Sequence, residues 1–403
     1  MPGRLLSRSP AFAALLTARS VSLVGDGVGS LALVVHVQRV EGTGTAVGLL
    51  LLAASLPRLL SPLAGTAADR VDRRLVLAAG ELGQGLVLAV AVIWLPPLPV
   101  LLVILLAKAT ITTVAEPAGQ SAVPDLVSDE DLPAANALLG GVRQAGEVLG
   151  PLIGGLVVAV GGVRAGLAVD TLTFVVTVPL LLRVPRLPPT PDVADGPAAE
   201  GTGVLADAWA GLRYTLRHPV ARALLVGFFL AGLAAADDVA LPFLARGFGA
   251  GARGIGALYA AVGGGLIVGY VLVSRHRACV ARTPWRAGAG VFIIGGAVAA
   301  AGNLLTGVAP VLVAAVAFQV VRGTGLAAFE TALQTLLQRT VPRPYLGRVF
   351  ANVYGAVNVA ACLALLGGGV LLDATSSRTV LIASGCAGLL GTVASARLLR
   401  RAG

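Results

Sequence analysis

Charge is what this chain is short of. Asp, Glu, Lys and Arg make up only 12% of its 403 residues, about half the ~25% of an ordinary soluble domain. A globular surface so poor in charge could not be kept in water. Aromatic residues are few as well, with ten Phe, five Tyr and three Trp. No aromatic-interleaved basic domain can be assembled from them, so the formal charge of +10 does not point to nucleic acid. Cys279, Cys362 and Cys386 have no metal-ligand spacing, and His36, His218 and His276 are scattered near helix ends and loops. There is no paired-histidine zinc helix and no nucleophile-elbow serine, so an integral-membrane enzyme is disfavoured. A glycine-lysine phosphate loop is missing too, which excludes an ATP pump of the P-loop kind. No cofactor or metal is expected, and an ion gradient is left as the driving force.

Hydrophobic residues fill 56% of the chain. They fall in stretches of about 20 residues, the length that carries a helix across the ~30 Å hydrocarbon core. Apolar runs read against charged breaks predict spans at 11–38, 45–66, 75–96, 99–123, 134–161 and 164–183, then 220–245, 252–274, 286–308, 309–335, 347–372 and 377–399. The expected fold is an all-α membrane protein of about twelve helices in two six-helix bundles. With the first loop placed outside, twenty of the 30 basic residues fall at inner ends or loops and only Arg39, Arg164, Arg246, Arg253 and Arg378 fall outside. That bias predicts a multi-pass protein of the cell membrane with both termini cytoplasmic.

The Pro-rich, acidic stretch VPRLPPTPDVADGPAAEGTG at 184–203 has a linker's composition. The amphipathic run LADAWAGLRYTLRH follows, with Leu205, Trp209, Leu212 and Leu216 at helical spacing, suited to the membrane surface. The domains are therefore a bundle over 1–183, a cytoplasmic linker with a short amphipathic helix over 184–219, and a bundle over 220–403. A faint internal echo supports a parallel repeat: Glu116 and Gln120 on span four match Glu330 and Gln334 on span ten.

Two stretches carry a mechanism. Between spans two and three the chain reads GTAADRVDRR, with Gly65, Asp69, Arg70, Arg73 and Arg74. A glycine for close helix approach, an acid for a helix N-terminus and arginines for lipid phosphates suit a gating loop. On span five, Gly146, Gly150 and Gly154 recur every four residues beside Pro151 and Gly155. The glycines make a smooth stripe and the proline bends it, a place where two bundles could rock.

These two stretches resemble the signature loop and the antiporter motif of the major facilitator superfamily. Phrases such as PDLVSDEDLPAANAL at 124–138 and VPRPYLGRVFA at 341–351 are similar to its drug/proton antiporter branch, with its macrolide-efflux and siderophore exporters. The resemblance implies proton-coupled export of a small amphiphilic molecule by alternating access, from a protein taken by default as a monomer. Uptake by the same fold is the alternative, and a transport-dead receptor a more distant one. The loop SRHRACVARTPWR at 274–286 lacks the Gly and Asp of its first-half counterpart.

Ionisable side chains inside spans cost of order 3 kcal/mol and are seldom kept without use. Asp26, Lys108, Glu147 and Arg322 lie nearest the middle of their spans, and Lys108 is the only lysine. Asp237 and Asp238 fall toward an outer end, Glu116 and Glu330 toward inner ends, and Glu81 and Asp170 close enough to boundaries to be solvated. All eight of the first-named residues are candidates for proton coupling or cargo binding. Desolvation favours Asp26 as a neutral acid carrying the coupling proton; a cation such as Lys108 or Arg322 would instead hold it as an ion-pair member, and a third option is a cargo-binding anion. Gly25, Gly27 and Gly29 around it would leave room for water or that cation.

Overall fold

The computed structural model describes residues 2–60, 72–187, 212–275 and 285–402. Among them every regular element is a helix and no strand occurs. Ten helices are long and apolar enough to cross a bilayer. One of these, Leu132–Leu181, has 50 residues, a length of ~75 Å at 1.5 Å per residue and more than two bilayer cores. It is two spans, broken where Gly162 adopts φ 78° and ψ −179°, a backbone state open to glycine. The shorter apolar helix Gly44–Leu59 completes the twelve expected.

The spans are α1 Pro10–Val40, α2 Gly44–Ser55 with a 3₁₀ continuation Leu56–Leu60, α3 Arg73–Trp94, α4 Leu98–Ser121, α5 at 132–161 and α6 at 163–181. The second half holds α7 Pro219–Gly247, α8 Gly251–Arg275, α9 Trp285–Gly307, α10 Leu312–Thr340, α11 Arg343–Ala374 and α12 Ser377–Ala402. Of the anticipated amphipathic segment, 212–217 is helical. Its remainder, with Leu205 and Trp209, lies outside the described residues, as do Gly65, Asp69, Arg70 and Cys279.

Contacts divide the chain into two compact units, Met1–Gly42 with Leu49–Gly196 and Gly251–Ala260, and Thr43–Gly48 with Pro197–Ala250 and Ala261–Gly403. A simple cut at the linker therefore misassigns two short pieces, for which the packing gives a reason. In the second unit, Asp373 of α11 caps the start of α2. Its carboxylate accepts from the Gly44 and Thr45 backbone N–H groups at 2.5 and 2.9 Å and from the Thr45 hydroxyl at 2.5 Å. These satisfy donors that a helix start otherwise leaves orphaned.

In the first unit the glycine stripe of α5 lies on α1. A Cβ on Gly150 would stand 2.8 Å from the Gly27 Cα, and those on Gly146 and Gly154 3.0 Å from Leu23 and Val28. The two backbones touch, a packing only small residues allow. Gly146, Gly150 and Gly154 thus seat a helix of their own half. Pro151 and Gly155 turn to α8, where a Cβ on Gly155 would come within 2.9 Å of the Ala252 carbonyl and one on Gly256 would strike the Pro151 carbonyl. In the second unit an aromatic cluster of Phe228, Phe292, Phe329 and Tyr354 fills the core.

Candidate functional site

Each unit buries a cation within its span bundle against acids of its own. In the first, Lys108 of α4 reaches two carboxylates, Asp26 Oδ1 on α1 at 2.8 Å and Asp170 Oδ2 on α6 at 3.0 Å. The Phe174 ring lies 5.1 Å from the ammonium, within reach of a cation–π contact. The glycines beside Asp26, expected to leave room for water or a cation, have a packing use as well. A Cβ on Gly25 would collide with Thr173, one on Gly27 with Gly150, and one on Gly29 with the Asp170 carboxylate. They are the seats that let α5 and α6 close on α1 and bring Asp170 to the lysine.

Asp170 is 0% exposed and its Oδ1 has no hydrogen-bond partner. Glu81 of α3 is also buried; it accepts from the Ser22 hydroxyl of α1 at 3.2 Å and the Thr177 hydroxyl of α6 at 2.8 Å. The expectation that both acids are solvated at span boundaries fails. Helix packing decides burial here, and position along a span is a poor guide to it.

In the second unit Arg322 of α10 holds Asp237 of α7 at 2.6 Å. Asn303 of α9 donates to the same carboxylate at 2.8 Å, and Gln319 accepts from the guanidinium at 3.3 Å. Asp237 is 0% exposed, while Asp238 is half-buried. Asp237, expected toward the outer end of its span, is thus shut inside its unit and not solvated. A 3₁₀ turn at Leu233–Ala236 interrupts α7 just before it, and its carboxyl turns into the core at the positive end of the resumed helix. Cation and acid occupy corresponding helices in the two units, α4 with α1 and α10 with α7.

Glu116, Arg143 and Glu147 behave differently. Arg143 lies 3.8 Å from Glu116 and 3.9 Å from Glu147, and their side chains are 64%, 46% and 44% exposed. Expected near the midplane, Glu147 is on an open face of its unit. Three charges exposed on the face of apolar helices are costly to present to lipid, and such groups characteristically face a bundle interior or a water-filled cavity. In the second unit Tyr270 donates to Glu330 at 3.0 Å and Gln334 to Tyr354 at 3.0 Å.

Of the expected gating loop, Arg73 and Arg74 are described. Arg73 is buried and donates to Asp125 at 2.5 Å, while its backbone N–H donates to the Leu187 carbonyl at 3.1 Å. Asp72 caps α3 and accepts from Leu187 N–H at 3.2 Å. Arg73 thus ties the starts of α3 and of the segment after α6 within one unit and is not a lipid anchor. Arg73→Ala and Asp125→Ala should each lower the thermal unfolding temperature in detergent. Their double variant should fall short of the sum by about 1 kcal/mol, given a half-exposed acid; strict additivity would show the contact is idle.

A family described as transmembrane secretion effector matches residues 6–402. The enterobactin exporter EntS of Shigella boydii serotype 18 is 32% identical over 390 residues, with 93% of this chain and 89% of that protein aligned. The same exporter from Citrobacter koseri is 32% identical over 393 residues with the same shares. Among solved structures, the nucleoside transporter NupG superposes with a TM-score of 0.79 at 13% identity, over 96% of this chain and 99% of that one. A bacterial homologue of the iron transporter ferroportin gives 0.71 at 18% identity, over 96% and 98%. Identities this low speak for the fold alone.

Proposed function

Because this chain belongs to the transmembrane secretion effector family of the major facilitator superfamily and is a membrane exporter, we propose that its cargo is enterobactin or a related siderophore and that it moves in exchange for protons. Both termini lie in the cytoplasm, and the protein works as a monomer in the cell membrane. The observation that carries this reading is the exposed charged face of Glu116, Arg143 and Glu147 on membrane-spanning helices. An exposed guanidinium in such a place suits an oxygen-rich, acidic molecule. The cargo itself follows the enterobactin exporters that align with 93% of the chain. Proton exchange is supported by the buried acids around Lys108 and Arg322, since ionisable groups at that depth mark ion pathways.

Everted membrane vesicles containing the chain should concentrate enterobactin when their interior is made acid, by up to about tenfold per pH unit for each proton exchanged. A protonophore should collapse the gradient of cargo. Uptake no greater than in vesicles lacking the chain would reject the cargo, and accumulation indifferent to the protonophore would reject the exchange.

A further inference from the structure

The first unit's core contains more acid than base. Asp26 and Asp170 share a single buried ammonium, that of Lys108, and Glu81 is close enough to feel both acids. Glu81 is in none of the ion pairs among the described residues. Its partners are two hydroxyls, those of Ser22 and Thr177, both themselves buried. The charged groups that act on it at longer range are Arg19 and Asp26 of α1 and Asp170 of α6. Arg19 turns toward α4, where a Cβ on Gly119 would strike its guanidinium. Three ionised carboxylates in this core would leave it with uncompensated negative charge, which a low-dielectric interior resists by holding a proton.

The hydroxyl geometry says where that proton sits. Thr177 Oγ1 is 2.8 Å from Glu81 Oε2 and 2.9 Å from the Phe174 carbonyl oxygen. A threonine hydroxyl has one proton to give. If it goes to the carbonyl, the contact with Glu81 is satisfied only when the carboxyl is the donor. If it goes to Glu81, the carbonyl keeps its partner within the helix and the carboxyl is an anion. The same three atoms therefore accommodate both protonation states by a rotation of one hydroxyl, with Ser22 donating to Glu81 Oε1 in either.

We propose that Glu81 is the group that binds and releases the exchanged proton, with Thr177 as its switch partner, and that Asp26 and Asp170 remain anions held by Lys108. The inference rests on the proton-exchange reading above. On loading, an O–H bond forms at Glu81 Oε2 and is donated to Thr177. On release the proton goes to water and the Thr177 hydroxyl turns to the carboxylate. Ser22 and Thr177 are positioning residues.

Two measurements on the full-length protein in proteoliposomes test it. Infrared spectroscopy, which needs no cargo, should show a protonated-carboxyl stretch that titrates in the wild type and is missing in Glu81→Gln. In a pH-gradient assay Glu81→Gln should lose roughly tenfold or more of its enterobactin accumulation, while exchange of labelled for unlabelled enterobactin persists. Thr177→Val removes the switch partner without touching charge, and should shift the pH profile of accumulation and of the infrared band together. A Glu81→Gln variant that keeps both the band and gradient-driven accumulation overturns the proposal. So does an unchanged pH profile in Thr177→Val, which decides the matter if Glu81→Gln does not fold. A wild type that ignores the pH gradient overturns the coupling role together with the exchange reading, and the infrared band then still reports separately whether Glu81 holds a proton.

Discussion

Lys108→Met should abolish export and leave little folded protein. The substitution keeps an unbranched side chain one atom shorter but strands Asp26 and Asp170, which share the ammonium at 2.8 and 3.0 Å. Removing one member of a buried ion cluster costs about 3–5 kcal/mol, because the remaining charges lose their compensation, and that is a large share of the ~5–15 kcal/mol that holds a domain folded. The two acids differ in how they suffer: the side chain of Asp170 is 0% exposed and that of Asp26 is 33% exposed and open to hydration. Lys108→Met with Asp170→Asn should therefore recover monodisperse protein in detergent better than Lys108→Met with Asp26→Asn. Normal yield and thermal stability of Lys108→Met alone would show that the cluster does not hold the unit together.

Gly150→Leu should fail before transport is reached. A Cβ alone on this residue would lie 2.8 Å from the Gly27 Cα and 3.4 Å from the Val24 carbonyl, so α1 and α5 must separate to admit a side chain. Overpacking commonly costs about 1–3 kcal/mol, and against backbone atoms that cannot rotate away the upper end applies. The separation would also draw Asp26, one residue from Gly27, off the lysine. Gly150→Ala should show the same defect at lower amplitude, read as the yield of folded protein. Gly140→Ala is the control, because nothing stands within 4 Å of its Cβ position. Equal behaviour of the three would place the stripe against lipid.

Twelve helices were legible because hydrophobicity counts them: each predicted span has a helix, with bounds that agree within a few residues where they are described, and the break at Gly162 falls between spans five and six. Composition also marked Asp26, Lys108, Asp237 and Arg322 as charges with a use. An ion pair of Asp26 with Lys108 was among the alternatives and is found, but the second acid on the lysine and the Asp237–Arg322 pair were not legible. Asp170 lies 62 residues from Lys108 in the chain, and only the crossing of α1 with α5 and α6, set by glycines at 25, 27 and 29, brings it there. Glu81 was set aside because it sits near the start of its span, yet burial depends on which face a helix turns inward. The sequence signal for its burial is Ser22 and Thr177, hydroxyls that a buried acid can use. For Arg73 the motif pointed to lipid, whereas the acid at 125 claims its guanidinium first. Depth along a helix, in short, is written in the sequence, but the face it turns inward is set by packing.

Exchange coupling has a reciprocal that needs no imposed pH gradient: if protons drive cargo, a cargo gradient must drive protons the other way. In proteoliposomes with equal pH on both sides and a pH dye trapped inside, an enterobactin gradient applied from outside should move protons outward and raise the internal pH as the siderophore enters. Wild-type protein should give that alkalinisation and Glu81→Gln should not. Enterobactin that equilibrates through the wild type while the internal pH stays flat would contradict proton exchange outright.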